Sequence, residues 1–304
     1  MKIQRVLLLG AGAVGILPAA QLYCLPGVDF RILADGERLE RYRRDGLLLN
    51  GEKLPFRYMA PGEEVFSADL VLIATKDWAL RDALPLLRDH VGPHTILVPL
   101  LNGISAGDTV EEFYPGSVTL RGFFLGHASV RIGNEVTQDG VGMFYFGERS
   151  DERHSQALTA TAEFLRSAGV PVDVPEDFRA ALWKKYILNV GINQTQAYFK
   201  ADYGMVQRSP EMLAFARDLM QEAAAVARAE GIANTDGMIE AAMETICTMP
   251  PEVKTSMLQD LLAARQTEIE SFSGELLRRG ARYGLVSPRN RAVYEVCTGV
   301  KKGE

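Results

Sequence analysis

The stretch Val6-Leu-Leu-Leu9-Gly10-Ala-Gly12-Ala-Val-Gly15 decides the fold. Its first four residues form an unbroken apolar run, the composition of a strand buried on both faces of a parallel sheet. Three glycines follow at the spacing of a dinucleotide-binding loop. Gly10 serves a tight turn, Gly12 the close approach of a pyrophosphate, and Gly15 the packing of the next helix on the strand. Ala11, Ala13 and Val14 complete the loop. A helix is predicted over 13–25, then a strand over Phe30–Leu33 that leads to Asp35, about twenty residues beyond Gly15 as such loops require. This context favours dinucleotide binding over a glycine-rich packing turn, and an α/β, Rossmann-type doubly wound parallel sheet.

The end of the second strand leaves the coenzyme open between NADP(H) and NAD(H). Asp35 would accept hydrogen bonds from a ribose 2′-hydroxyl and repel a 2′-phosphate, whereas Arg31 and Arg38 could embrace that phosphate. Alternation along the strand puts Arg31 on the same face as Leu33, and the basic residues from Arg41 onward read as a solvated helical face.

Outward from this core, Leu47–Asn50 and Lys53–Tyr58 read as a hairpin on an Asn-Gly turn, inserted between two sheet strands. Ala68–Thr75 is the next buried strand and delivers Lys76. A helix is expected over 79–90, then a strand over Thr95–Leu101 that delivers Asn102. Ligands of doubly wound sheets lie at these carboxyl ends, which makes Lys76 and Asn102 candidates for cofactor or substrate, although a solvated lysine and an ordinary Asn-Gly turn read as well. Ser117–Glu148 looks like added strands. An amphipathic helix over Ser155–Ala168 and a short strand at 171–174 close the first domain. From Glu176 onward helix follows helix, including one opened by Ser209 as N-cap and running over Pro210–Glu230. The expected division is therefore 1–175 as the dinucleotide domain and 176–304 as an all-helical substrate domain.

Within the helical part, a predicted helix over 180–197 places Lys185, Asn189 and Asn193 at successive i, i+4 positions, one polar stripe opposite Trp183, Ile187 and Val190. One ammonium and two carboxamides suit an oxyanion or carbonyl in a cleft. The alternative is a snorkelling lysine and two asparagines satisfying backbone. Further on, Thr267 with Glu270 three residues later has the form of a capping box, which predicts a helix start at Thr267, Glu268 in its first turn and an irregular approach that leaves Ser256 free to fold back. Glu268 could serve simply to complement the helix dipole.

Composition narrows the function. With 47% hydrophobic and 24% charged residues the chain is an ordinary globular one, and a net charge of −6 argues against nucleic acid or an anionic membrane as partner. Cys24, Cys247 and Cys297 lack paired or metal-ligand spacing, so three buried thiols, a reducing cytoplasm and no metal are expected. Lys2 and Arg5 before an apolar run could pass for a signal peptide, but the glycines argue otherwise.

Taken together, the glycine loop, Thr75-Lys76, Asn102-Gly103, Trp183-Lys-Lys185 with Asn189 and Asn193, and Ser256-Met-Leu-Gln-Asp260 with Thr267-Glu268 resemble the ketopantoate reductase (2-dehydropantoate 2-reductase) family over nearly the whole length. The resemblance implies NADPH as the usual cofactor, Lys185 as general acid, Glu268 as its partner, and Asn102, Asn189, Asn193 and Ser256 as the residues that hold substrate. Lys76 would lie by the cofactor. The implied reaction is reduction of a small branched 2-oxo acid, most simply ketopantoate to pantoate in pantothenate biosynthesis, by a cytoplasmic monomer or homodimer. Departures from the family pattern are Gln194-Thr195 in place of Pro-Leu, which implies a different pocket floor, Gln138-Asp139-Gly140 in place of a His-Gly pair, and Asp35 where a basic residue is common. Another 2-oxo acid as substrate, or a non-catalytic nucleotide sensor on the same fold, are the competing readings; the sensor would have no use for Lys185 and Glu268.

Overall fold

A computed structural model describes residues 2–126, 129–140, 142–149 and 155–299. Two compact units emerge, Met1–Asn102 with Ala106–Phe178, and Gly103–Ser105 with Arg179–Glu304.

The first unit begins with β1 (Arg5–Leu9), α1 (Ile16–Leu22), β2 (Asp29–Leu33), α2 (Gly36–Asp45), β3 (Leu47–Leu49), β4 (Glu52–Leu54) and β5 (Tyr58–Met59). It continues with β6 (Leu70–Ile73), α3 (Leu80–Ala83), β7 (Ile96–Pro99), α4 (Ala106–Phe113), β8 (Val118–Thr119) and β9 (Arg121–Leu125). Then come β10 (Ser129–Ile132), β11 (Glu135–Gln138), β12 (Met143–Gly147), α5 (Gln156–Ser167) and β13 (Val172–Asp173). Six strands form a parallel sheet in the order β5-β2-β1-β6-β7-β8. The apolar run of β1 is explained by its two faces: Val6 and Leu8 enter one hydrophobic core, Leu7 and Leu9 the other. Each such side chain contributes about 1.5–3 kcal/mol on burial.

Two helices are shorter than their patterns. The predicted 13–25 helix is regular only over Ile16–Leu22, because residues 13–15 turn around the glycine loop. The predicted 79–90 helix breaks into a single α turn between two 3₁₀ turns, Asp77–Ala79 and Leu84–Leu87. Pro85 accounts for the second of these, since it lacks the N–H that would continue the α-helical hydrogen-bond ladder. The Asn-Gly hairpin forms, with Asn50 and Gly51 both at positive φ. Its second strand ends at Leu54, however, and Tyr58–Met59 instead pairs with β2 at the sheet edge. The hairpin joins β10 and β11 in a second sheet, β10-β11-β3-β4, while β13-β12-β9 make a third.

The second unit is built on α6 (Phe178–Phe199), which crosses from the first, with α7 (Tyr203–Arg208), α8 (Pro210–Ala229), α9 (Thr235–Thr248) and α10 (Ser256–Leu262). A five-residue π-helical turn over Glu270–Gly274 leads into α11 (Glu275–Arg282), and α12 (Pro288–Thr298) follows. No strand follows β13 among the described residues. Ser209 caps α8 by accepting from the Met212 amide. Gly191 lets α6 and α8 cross closely, since a Cβ there would stand 2.1 Å from the Met220 methyl.

Three expectations need correction. Cys24 and Cys247 are exposed and Cys297 half-buried, so the thiols are not core residues. The helix expected at Thr267 starts with the π turn, and no capping box forms. Glu270 instead accepts from the Tyr294 hydroxyl and from Arg278 Nη1 at 3.1 Å, partners from α12 and α11 that outcompete a local backbone cap. The approach to this helix is not irregular throughout, since Ser256–Leu262 is itself helical. Among the described residues no helix is long and apolar enough to cross a membrane, and no group of three or more His, Cys, Asp or Glu side chains could hold a metal.

Candidate active site

In the first unit, four adjacent parallel strands end together: Leu33, Leu9, Ile73 and Pro99 stand in register across β2, β1, β6 and β7. Asp35, the loop Gly10–Gly15, Lys76 and Asn102 follow these ends, at the edge where doubly wound sheets take ligands. The loop's shape requires glycine at positions 10 and 15. Gly10 has φ of +99°, and a Cβ on it would meet the Ala74 carbonyl carbon at 2.6 Å; one on Gly15 would meet the Gly10 oxygen at 2.2 Å. At Gly12 the nearest atoms to such a Cβ, the Ala74 oxygen and Arg131 Nη1, lie at ordinary contact distances of 3.9 and 4.0 Å. Thr75 Oγ1, at the end of β6, and Ser129 Oγ are among the buried hydroxyls that have no hydrogen-bond partner among the described residues. The cradle and the spare hydroxyls fit a dinucleotide.

Arg31 does not join this edge. Its guanidinium is bound to Asp29 at 2.8 Å and to Glu64, and lies 4.4 Å over the Phe66 ring. Asp35 is exposed at the start of α2 and makes no side-chain cap; Arg38, also exposed, is the cation nearest to it in sequence.

In the second unit, α6 carries the polar stripe. Lys185 is 8% exposed and Asn193 6%, and Asn189 between them is half-buried. Trp183, Ile187 and Val190 on the other side enter the hydrophobic core. Glu268, 5% exposed, interacts electrostatically with Lys185. Burial lowers the Lys185 ammonium to about 8, and the Glu268 charge opposes that fall.

What brings these two together was not visible in the motifs. The hydroxyl of Tyr186, next to Lys185, donates to the Phe272 carbonyl in the π turn at 2.7 Å. Glu268 stands two residues before that turn, and its carbonyl accepts from the Ser271 amide at 3.1 Å. Such turns recur at functional sites because they re-aim side chains within a helix. Gln194, two helical turns beyond Tyr186, holds the same turn from the other side. It is bonded to the Ser273 hydroxyl, and its amide donates to Asn290 at 3.0 Å and to the Val190 carbonyl at 2.9 Å. Gln194 therefore points into the core, not along the Asn193 face, and the change from Pro-Leu is absorbed by packing rather than by a pocket floor. Ser256, exposed, opens α10; the preceding Thr255 amide donates to Gln196 Oε1 at 2.8 Å, which fixes this end of α10 to α6 beyond Asn193. The available signal was the run Gln194-Thr-Gln196 inside an apolar helix, since buried polar groups need partners.

Two family models match the chain: Ketopantoate reductase PanE/ApbA over residues 6–151 and Ketopantoate reductase PanE/ApbA C terminal over residues 177–301. The chain belongs to the ketopantoate reductase family. It is an NAD(P)H-dependent 2-oxo acid reductase of that family. The 2-dehydropantoate 2-reductase of Mesorhizobium japonicum is 30% identical over 317 residues, 95% of each chain. A crystal structure of 2-dehydropantoate 2-reductase from Geobacter metallireducens aligns with TM-score 0.86 at 26% identity, over 98% of this chain and 100% of the other. A D-mandelate dehydrogenase, solved with NADH and anilino(oxo)acetate, has TM-score 0.87 at 20% identity over 97% and 98% of the chains, and shares the fold.

Proposed function

We propose that this ketopantoate reductase family member reduces ketopantoate to pantoate with NADPH, and that Lys185 is the general acid. The observation that carries the reading is a buried ammonium beside a buried carboxylate, continued by Asn189 along the same helical face to Asn193. The glycine loop would hold the coenzyme, whose chemistry would be to supply a hydride for the C2 carbonyl carbon. Lys185 donates a proton from Nζ to the alkoxide oxygen and, before transfer, stabilises the charge growing there. With its ammonium near 8, Lys185 is a stronger acid than a solvated lysine yet still largely protonated at pH 7. Glu268 keeps that proton in place, while Asn189, Asn193, Ser256 and Asn102 offer neutral hydrogen bonds to the substrate's carboxylate and hydroxyl.

Lys76 and the loop Gly10–Gly15 hold the coenzyme in this reading. Its 2′-phosphate is met by Arg38 in place of Arg31, whose fork is taken by Asp29 and Glu64. Asp35 keeps NADH in play as a poorer substrate. Three unpaired thiols suit a reducing cytoplasm, where the protein would act as a monomer or homodimer.

The test is oxidation of NADPH and of NADH by the purified protein with ketopantoate and a panel of other 2-oxo acids, including the one related to mandelate. Turnover of ketopantoate well above the rest, lost on the order of 10²- to 10⁴-fold in Lys185→Ala with coenzyme binding intact, is expected. Preference for another 2-oxo acid would move the substrate within the same chemistry. Nucleotide binding without any turnover would point to a sensor.

A further inference from the structure

The second sheet reaches the glycine loop through one side chain. Arg131, in the middle of β10, donates from Nη1 to the Ala11 carbonyl at 2.8 Å, from Nη2 to the Tyr42 hydroxyl at 3.1 Å and from Nε to the Gly133 carbonyl at 2.8 Å. Its guanidinium also lies 5.7 Å from the centre of the Tyr42 ring. Nη1 is 4.0 Å from where a Cβ on Gly12 would be, which sets the guanidinium against the second glycine of the loop. A guanidinium has five N–H donors. Three are spent on the loop, on α2 and on its own turn, so two remain, one on each Nη, with no carboxylate paired to the charge among the described residues. Ser129, two residues earlier on the same face of the strand, carries a buried hydroxyl with no hydrogen-bond partner among the described residues. A cation held by its loop contacts, and a buried hydroxyl lacking a partner, make a constructed anion-binding surface.

We propose that Arg131 is a pyrophosphate-binding residue of the coenzyme site, delivered by the sheet that the Asn-Gly hairpin completes. This rests on the reading of the loop as a dinucleotide site. A pyrophosphate lying over Gly12 accepts the two remaining N–H bonds of Arg131, which neutralises one of its charges and holds the loop to α2.

The test is calorimetric titration of the intact wild-type chain, Arg131→Ala and Arg131→Lys with NADPH, NADH and adenosine 2′-monophosphate, the last having the adenosine 2′-phosphate without the pyrophosphate. For Arg131→Ala, NADPH and NADH weaken by the same factor, on the order of tenfold or more as for a charged hydrogen bond, while adenosine 2′-monophosphate is unchanged. Arg131→Lys recovers part of the loss, because it restores the charge without the fork. Loss confined to NADPH would overturn the assignment in favour of the 2′-phosphate. Equal loss for all three ligands would overturn it in favour of a purely structural arginine, and unchanged binding would overturn it outright. Failure of the wild-type chain to bind either dinucleotide would instead overturn the dinucleotide reading itself, and this inference with it.

Discussion

Burial pulls the Lys185 ammonium down, and the Glu268 charge opposes part of that fall. That balance has a kinetic signature. As general acid for reduction, Lys185 must be protonated, so kcat/KM for the 2-oxo acid should fall above about pH 8 and the reverse oxidation should rise over the same range. Glu268→Gln removes the opposing charge and leaves the desolvation. Its alkaline limb should therefore move to lower pH, which steady-state profiles from pH 6 to 10 would reveal; a limb unmoved by the substitution would exclude Glu268 as the partner. Residue chemistry also explains why Arg31 was a poor candidate in the end. An arginine in mid-strand beside Asp29 and over Phe66 is satisfied where it stands.

At the scale of elements, α6 and the π turn act as a pair, bonded at Tyr186 and at Gln194 on either side of the stretch that carries Asn189 and Asn193. Gln194, Ser273 and Asn290 are all fully buried, and Asn290 passes the network on to Glu222 at 2.8 Å. Gln194→Leu would leave the Ser273 and Asn290 groups short of partners inside the core. The expected cost is about 1–3 kcal/mol, seen as a Tm lower by several degrees. Tyr186→Phe should cost about 1 kcal/mol by removing one of the two bonds to the Phe272 carbonyl, which keeps the Glu275 amide, and should shift the alkaline limb downward as well, because it loosens the turn that follows Glu268. Gln194→Leu with an unchanged Tm would show that the network is not a structural unit.

For the whole molecule, the buried Lys185 makes stability depend on pH. Its folded value near 8 lies below that of an exposed lysine, so between the two the unfolded chain holds more protons and stability rises with pH. The penalty is fully present below about pH 8 and is relieved above it. Urea unfolding at pH 7.5 and 9.5 should show a gain at the higher pH that Lys185→Met reduces, and an equal gain in both proteins would assign it to other groups.

The division of information between sequence and structure follows the range of the interactions. A buried strand, the glycine loop after it, the Ser209 cap, the Asn-Gly hairpin and the i, i+4 stripe were legible because each is decided within a few residues by backbone sterics and periodicity. Even these yielded at their ends where a distant group intervened, as with Tyr294 and Arg278 claiming Glu270. The sequence by itself determined the two-part α/β and helical architecture and the family. Only the tertiary structure decided that Arg31 is spent on carboxylates, that Gln194 belongs to the core and that Arg131 reaches a loop 120 residues away. The physical reason is competition: a charged or polar side chain goes to whichever partner the folded chain brings nearest, and no local pattern records which partners those will be.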